Sequence, residues 1–235
     1  SLQPAPEGPR SNLQNLEFLD LSYNEISKLP KSLAELQVLT QINVAFNPLG
    51  DEVPSELCAL KELRVLNFDY TGVKVIPDAM GNLRYLETLQ ASGNPFEYPF
   101  NLLYFRDPML LVRFFCPDTT KLDLSGCGLQ TVPRSIGLLE SLERLDLSDN
   151  NIVALPVELG ELKNLTELNL DGNPLEYPFR QIRCEDFDNM RTVNFLNTDV
   201  QELNLSQAAL VDIPPLLLRH TPHLQALNLA NNRIK

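Results

Sequence analysis

Few residues in this chain have the types and spacing that catalysis or metal binding requires. His220 and His223 have an H-x-x-H spacing, but no cysteine or carboxylate lies close to them in sequence. The cysteines are scattered and form no C-x-x-C pair; they are Cys58, Cys116, Cys127 and Cys184. No phosphate-binding loop, nucleophile elbow or paired-carboxylate motif occurs. The sequence therefore predicts a protein that is not an enzyme and that binds no metal and no cofactor.

The composition describes an acidic chain that is large enough for one or two domains. It has 235 residues, 43% of them hydrophobic, and a net charge of −12. Phosphate binding needs an excess of lysine and arginine, so the charge argues against nucleic acid as a partner. No run of eighteen apolar residues occurs, and we expect no membrane span. Because scattered single cysteines are typical of a reducing compartment, we expect four free thiols and a cytoplasmic location.

The residues outside these motifs follow an internal repeat. The pattern L-x-x-L-x-L-x-x-N occurs nine times, with starts 23, 24, 23, 33, 23, 23, 35 and 24 residues apart. It covers residues 16–24, 39–47, 63–71, 86–94, 119–127, 142–150, 165–173, 200–208 and 224–232. The last position is asparagine in six repeats, and Thr71, Cys127 and Ala208 occupy it in the other three.

Each repeat predicts one short strand and one turn. Alternating L-x-L is a strand with one buried face, and the asparagine turns the chain out of that strand. A proline then recurs before apolar residues at helical spacing, which is typical of the first turn of a short helix. These prolines are Pro30, Pro54, Pro77, Pro133, Pro156 and Pro214. Since one repeat cannot bury its leucines alone, we expect stacked repeats, with a parallel sheet on the concave side and helices or turns on the convex side.

Two repeats are longer than the others and contain a near-copy of eight residues. GNPFEYPF at 93–100 lies in the long repeat 86–118, and GNPLEYPF at 172–179 lies in the long repeat 165–199. We interpret the copied segment as a structural marker of the long repeat, within a higher-order period of three repeats. The apolar insert 100–115 is expected to fill the convex side, with a partner groove or an oligomer contact as the alternative.

The tails of the repeats resemble those of intracellular leucine-rich-repeat proteins. LPKSLAEL, IPDAMGNL, VPRSIGLL and LPVELGEL are similar to the L-P-x-x-L-x-x-L tails of the Ras-suppressor-like, LAP-type and plant Ras-group-related classes. The resemblance implies an α/β leucine-rich-repeat solenoid shaped like a horseshoe over residues 13–235, preceded by an extension at 1–12. It also implies a non-catalytic platform for a small GTPase, a phosphatase or another signalling protein. The chain ends inside a repeat, and we expect it to be part of a longer protein.

Exposed aromatic residues mark the candidate partner surface. The residue before the asparagine position is Tyr23, Phe46 and Tyr70 in the first three repeats, and parallel strands about 4.8 Å apart would align these rings in one stripe. Phe18 adds a ring on the first strand, and Arg64 and Asp69 are expected to flank the stripe. Further polar contacts are expected from Lys121, Arg144 and Glu167. The alternative is that the rings only pack on one another or against the N-terminal segment.

Other interpretations of the same residues stay open. A polar column in the middle of the strands, from Asp20 to Asn228, would contact a basic partner or form a solvated face. The leading functional hypothesis is a protein-binding scaffold. The alternatives are a recognition ectodomain of a secreted or surface receptor, and a targeting module of a larger enzyme or effector.

Overall fold

The structure is a computed structural model that describes residues 13–182 and 190–235. The chain divides into two compact units, Ser1–Val112 and Arg113–Lys235, and each unit is considered by itself. The predicted extension 1–12 and Cys184 lie outside the described residues. The other three cysteines are free thiols, as the sequence predicted.

Each predicted repeat contains one three-residue strand. In the first unit the strands are β1 Phe18–Asp20, β2 Gln41–Asn43, β3 Val65–Asn67 and β4 Thr88–Gln90. In the second unit they are β5 Lys121–Asp123, β6 Arg144–Asp146, β7 Glu167–Asn169, β8 Glu202–Asn204 and β9 Ala226–Asn228. Every pairing is parallel, and equivalent residues of successive repeats are paired, as in Ile42 with Leu66. The predicted parallel strands are therefore confirmed.

The strands form three sheets rather than one. Their orders are β1-β2-β3-β4, β5-β6-β7 and β8-β9. The first two sheets end at β4 and β7, the strands that open the two long repeats. In those repeats the extra residues form pairs of α-helices, α2 Phe100–Arg106 with α3 Leu110–Arg113, and α4 Phe179–Ile182 with α5 Met190–Leu196. The copied eight-residue segment leads directly into α2 and α4 and contains a cis Tyr-Pro bond both times.

The ordinary repeats contain a single short helical segment. These are the 3-10 helices Lys31–Glu35, Asp78–Asn82, Arg134–Leu138 and Val157–Glu161, and the α-helices α1 Ser55–Cys58 and α6 Pro215–His220. The six recurring prolines all lie at the residue that precedes such a segment. Proline fixes φ near −65° and lacks the N–H that a helix start would leave unpaired, which explains its place there.

The core lies between the strands and the helical segments of each unit. Strand residues alternate, so that Ile42 is buried between the more exposed Gln41 and Asn43. Part of the apolar insert fills the core, with Leu103, Leu111 and Phe114 fully buried, whereas Phe105 is 93% exposed.

Buried asparagine side chains bind successive repeats together, and we call this series of side chains the ladder. Asn150 is 3% exposed, and its Nδ2 donates to the carbonyls of Leu124 at 2.8 Å and Leu147 at 2.9 Å. Its Oδ1 accepts the N–H of Leu129 at 2.9 Å. Leu124 and Leu129 belong to the preceding repeat and Leu147 to its own, so one amide satisfies buried backbone groups of two repeats. The same pattern recurs at Asn47, Asn94, Asn173 and Asn232.

The three substituted positions stay inside this ladder. The Thr71 hydroxyl donates to the Phe68 carbonyl at 2.8 Å and so replaces one of the asparagine bonds. Cys127 and Ala208 are 8% and 1% exposed, so both side chains are buried. Cys58 is buried in the neighbouring core, where burial, and then the charge of Glu52, raise the pKa of its thiol to about 12.

A substitution at Asn150 tests the stabilising role of the ladder, with the exposed neighbouring residue Asn151 as the matched control. Asn150→Ala leaves buried backbone groups of two repeats without partners and is expected to lower the free energy of unfolding by about 2–4 kcal/mol. Asn151→Ala removes an exposed side chain and is expected to cost less than about 0.5 kcal/mol. Urea unfolding of both variants measures the difference. Equal losses would contradict the structural role of the buried amide.

Candidate functional site

The residue before the asparagine position has a left-handed backbone in all nine repeats. The φ values are 55° at Tyr23, 56° at Phe46, 53° at Tyr70, 71° at Gly93, 59° at Gly126, 54° at Asp149, 70° at Gly172, 58° at Gln207 and 57° at Asn231. At Tyr23, Phe46, Tyr70, Gly126, Asp149 and Gln207 its N–H donates to a carbonyl of the next repeat, as where Phe46 donates to the Asp69 carbonyl at 2.8 Å. Where a buried asparagine follows, as at Asn47, its amide holds the other side of the turn.

Aromatic side chains at this position oppose the local backbone preference. A left-handed conformation costs an L-residue roughly 1–2 kcal/mol and costs glycine almost nothing. Three repeats place glycine there, and two others place Asp149 and Asn231, whose short polar side chains tolerate it. Tyr23, Phe46 and Tyr70 have this strained conformation in three successive repeats, whereas Gln207 has it in a single later repeat. Backbone strain of this kind clusters at functional sites, which makes these three residues the leading candidates.

The three rings form one stack, which we call the aromatic stack. The ring centroids of Tyr23 and Phe46 are 4.3 Å apart with an interplanar angle of 9°, and those of Phe46 and Tyr70 are 4.8 Å apart at 14°. The far face of Tyr70 covers Gly93, where an added Cβ would lie 2.7 Å from the ring Cζ. Nevertheless, Tyr23, Phe46 and Tyr70 are 74%, 39% and 57% exposed. The rings therefore pack on one another and still present a surface to solvent.

An open cleft lies beside the aromatic stack. Its volume is about 600 Å³. It is lined by Phe46, Asn47, Pro48, Gly50, Asp51, Tyr70, Thr71 and Gly72. A Cβ on Gly50 would meet no atom within 4 Å, so the lack of side chains keeps the cleft open. At its border the Asp51 carboxylate binds the Lys74 ammonium at 2.9 Å, which raises the pKa of Lys74.

The other predicted residues of the first unit lie apart from the stack, except one. Asp69 directly precedes Tyr70, and its carboxylate accepts the N–H of Ser92 at 2.5 Å. Phe18 is 57% exposed but opens β1, at the other end of the strand from Tyr23. Arg64 precedes β3 and its guanidinium binds Glu87. Arg64 therefore does not flank the rings, because a strand separates it from Tyr70.

The predicted polar residues of the second unit form one row. Lys121, Arg144 and Glu167 are paired in register across β5, β6 and β7, and all three are exposed. Arg144 binds Glu167 at 3.1 Å. Such an exposed pair contributes little to stability.

The polar column in the strands closes turns, a role that the sequence interpretation missed. The Asp20 carboxylate accepts the N–H of Ser22 at 2.8 Å and its hydroxyl at 2.6 Å, and these bonds lower the pKa of Asp20. The same bond to the N–H two residues on recurs at Asn43, Asn67, Asp123, Asp146, Asn169, Asn204 and Asn228. A serine lies two residues after Asp20, Asp123, Asp146 and Asn204, which is compatible with this turn but does not distinguish it from a partner contact.

Three leucine-rich-repeat families match the sequence in succession. A leucine-rich repeat region matches residues 9–96, and leucine-rich repeats match 117–175 and 220–235. The chain therefore has the leucine-rich-repeat fold. In such proteins stacked repeats generally provide a surface that binds other proteins.

Relatives of this leucine-rich-repeat chain occur in proteins of several kinds. It is 28% identical over 117 residues to a flightless-1 homolog of Caenorhabditis elegans, covering 39% of this chain and 9% of that protein. It is 31% identical over 123 residues to Toll-like receptor 4 of Bos taurus, covering 52% and 14%. It is 30% identical over 136 residues to an adenylate cyclase of Schizosaccharomyces pombe, covering 51% and 8%. The chain thus spans only a small part of each of these relatives.

Neither a membrane helix nor a metal cluster is present in the described residues. The longest helices there, α2 and α5, have seven residues each, whereas a bilayer needs about twenty. No three His, Cys, Asp or Glu side chains in ranges 13–182 and 190–235 are arranged to hold a metal ion.

Left-handed strain at Tyr23 predicts an unusual order of stability among its variants. Tyr23→Ala keeps the strained backbone and loses the ring, whereas Tyr23→Gly loses the ring and relieves the strain. We expect the glycine variant to be more stable than the alanine variant by about 1 kcal/mol, and within about 1 kcal/mol of the unmodified protein. Chemical unfolding of the three proteins measures this. An alanine variant as stable as the glycine variant would contradict the claim that the backbone at Tyr23 is strained.

Proposed function

We propose that this chain is a non-catalytic protein-binding scaffold whose partner contacts the aromatic stack. The observation that carries the proposal is the combination of strain and exposure at Tyr23, Phe46 and Tyr70. Nothing in the ladder requires rings there, since Gly93, Gly126 and Gly172 occupy the same position in other repeats. A costly side chain that stays exposed is most simply explained by a use outside the fold.

The size of the surface supports a macromolecular partner. The cleft of about 600 Å³ is open to solvent and continuous with exposed rings rather than enclosed. Metabolite sites bury most of their ligand in concave pockets, whereas protein interfaces use central aromatic anchors on a wider surface. The resemblance of the repeat tails implies a small GTPase, a phosphatase or another signalling protein as the partner.

A cytoplasmic location belongs to this proposal. It is supported by the free thiols Cys58, Cys116 and Cys127, because disulfides are the usual state in oxidising compartments. The similarity to Toll-like receptor 4 favours an alternative, a recognition domain of a receptor. The similarity to an adenylate cyclase favours another, a module within a larger enzyme. In both alternatives the stack would remain the contact surface.

The proposal is tested by photo-crosslinking followed by affinity measurement. The photoreactive residue p-benzoylphenylalanine replaces Tyr23 in cells, and a control protein carries it at Tyr85, which is 55% exposed and lies outside the strands. A protein crosslinked from position 23 and not from position 85 is identified by mass spectrometry and purified. Its affinity is then measured by calorimetry.

The affinity for that partner should depend on the stack and not on the row in the second unit. Replacing Tyr23, Phe46 and Tyr70 together by glycine is expected to weaken binding at least 30-fold, about 2 kcal/mol. Lys121→Ala with Arg144→Ala is expected to change it less than threefold. Binding that survives the glycine changes and is lost with the Lys121 and Arg144 changes would contradict the proposed site.

A further inference from the structure

The aromatic stack leaves one ring face open. Its inner faces cover one another, and the outer face of Tyr70 lies on Gly93. The outer face of Tyr23 remains, and among the described residues the one recorded ring contact of Tyr23 is with Phe46. Tyr23 is also the most exposed of the three, at 74%. The face of an aromatic ring carries negative potential and its edge positive potential, so an open face attracts a cation.

The sheet face of the unit that carries the aromatic stack is acidic. On the sheet face of the first unit, the exposed positions of the four repeats carry Glu17, Asp20, Asp69 and Glu87, against one cation, Arg64. Arg64 is bound to Glu87. Glu17, Asp20 and Asp69 therefore have no cationic partner among the described residues. Two hydrogen bonds from Ser22 keep Asp20 ionised, because they lower its pKa. A cationic partner is complementary to this surface and an acidic one is repelled by it.

The cleft provides a second point of contact. Phe46 and Tyr70 line it together with Gly50 and Gly72, which leave room for a side chain beside the stacked rings.

We infer that the aromatic stack recognises an extended cationic segment of its partner. An arginine guanidinium of that segment lies flat on the outer face of Tyr23, and an apolar side chain of the same segment fills the cleft that Phe46 and Tyr70 line. Arginine fits better than lysine, because its planar guanidinium stacks on a ring and is less strongly hydrated. The inference rests on the proposed function and adds the chemistry of the partner to it.

The test is an unbiased selection of ligands, with random twelve-residue peptides displayed on phage as the probe. The library is selected on the purified chain, after removal of peptides that bind a Tyr23→Gly variant. Enriched peptides are synthesised, and their affinities are measured for the unmodified chain, for Tyr23→Gly and for Tyr85→Gly as an exposed control. Each arginine of a peptide is also replaced by glutamine, which keeps a planar end group and removes the charge.

The inference predicts enriched peptides that contain both an arginine and an apolar side chain. Replacing that arginine by glutamine should weaken binding at least tenfold, as should Tyr23→Gly, whereas Tyr85→Gly should change it less than twofold. Peptides that need Tyr23 but carry no basic residue would overturn the inference and leave the proposed function standing. Peptides that bind all three proteins equally, or no enrichment at all, would count against both.

Discussion

The buried asparagine amide is the interaction on which the rest of this structure depends. At Asn150 it bonds to backbone groups of two successive repeats, which would otherwise be buried without partners. The amide fixes where the chain leaves the strand, and the next repeat binds the N–H of Asp149, the residue before it. The residue at this position adopts the left-handed conformation in all nine repeats, whichever side chain it carries.

The fold requires the left-handed backbone at this position but does not require an aromatic side chain there. The fold needs a left-handed residue, and Gly93 or Gly172 satisfies that need at almost no cost. Ring stacking offsets part of the backbone strain at Tyr23, Phe46 and Tyr70, since a stacked pair contributes about 0.5–1.5 kcal/mol. They remain exposed nonetheless, so the stack is a feature that the sequence adds to the repeat rather than one that the repeat requires.

Much of the fold could be predicted from the sequence because the repeat assigns every residue to a column. The leucines give the buried face, the prolines give the helical starts, and the column before the asparagine gives the three rings in register. Arg64 was misplaced because its column lies at the start of the strand, a strand's length from Tyr70. The sheet breaks after β4 and β7 were missed because repeat spacing in a sequence does not show which neighbouring strands are hydrogen-bonded.

The sequence also contained a signal for the left-handed column that went unused. Besides the three rings and Gln207, that column contains glycine, aspartate and asparagine, which are the residue types that tolerate positive φ. The roles of Asp20 and its equivalents were harder to predict. A carboxylate that closes a turn and one that contacts a partner have the same sequence pattern, and only the bond to Ser22 distinguishes them.

The most direct test of this account is a saturation scan of the nine left-handed positions with two separate measurements, the abundance of folded protein in cells and the binding of the crosslinked partner. The account predicts that glycine preserves abundance at all nine positions, and that only changes at Tyr23, Phe46 and Tyr70 abolish binding. Abundance that falls together with binding when these three residues become glycine would contradict it, and would make the aromatic stack a part of the core.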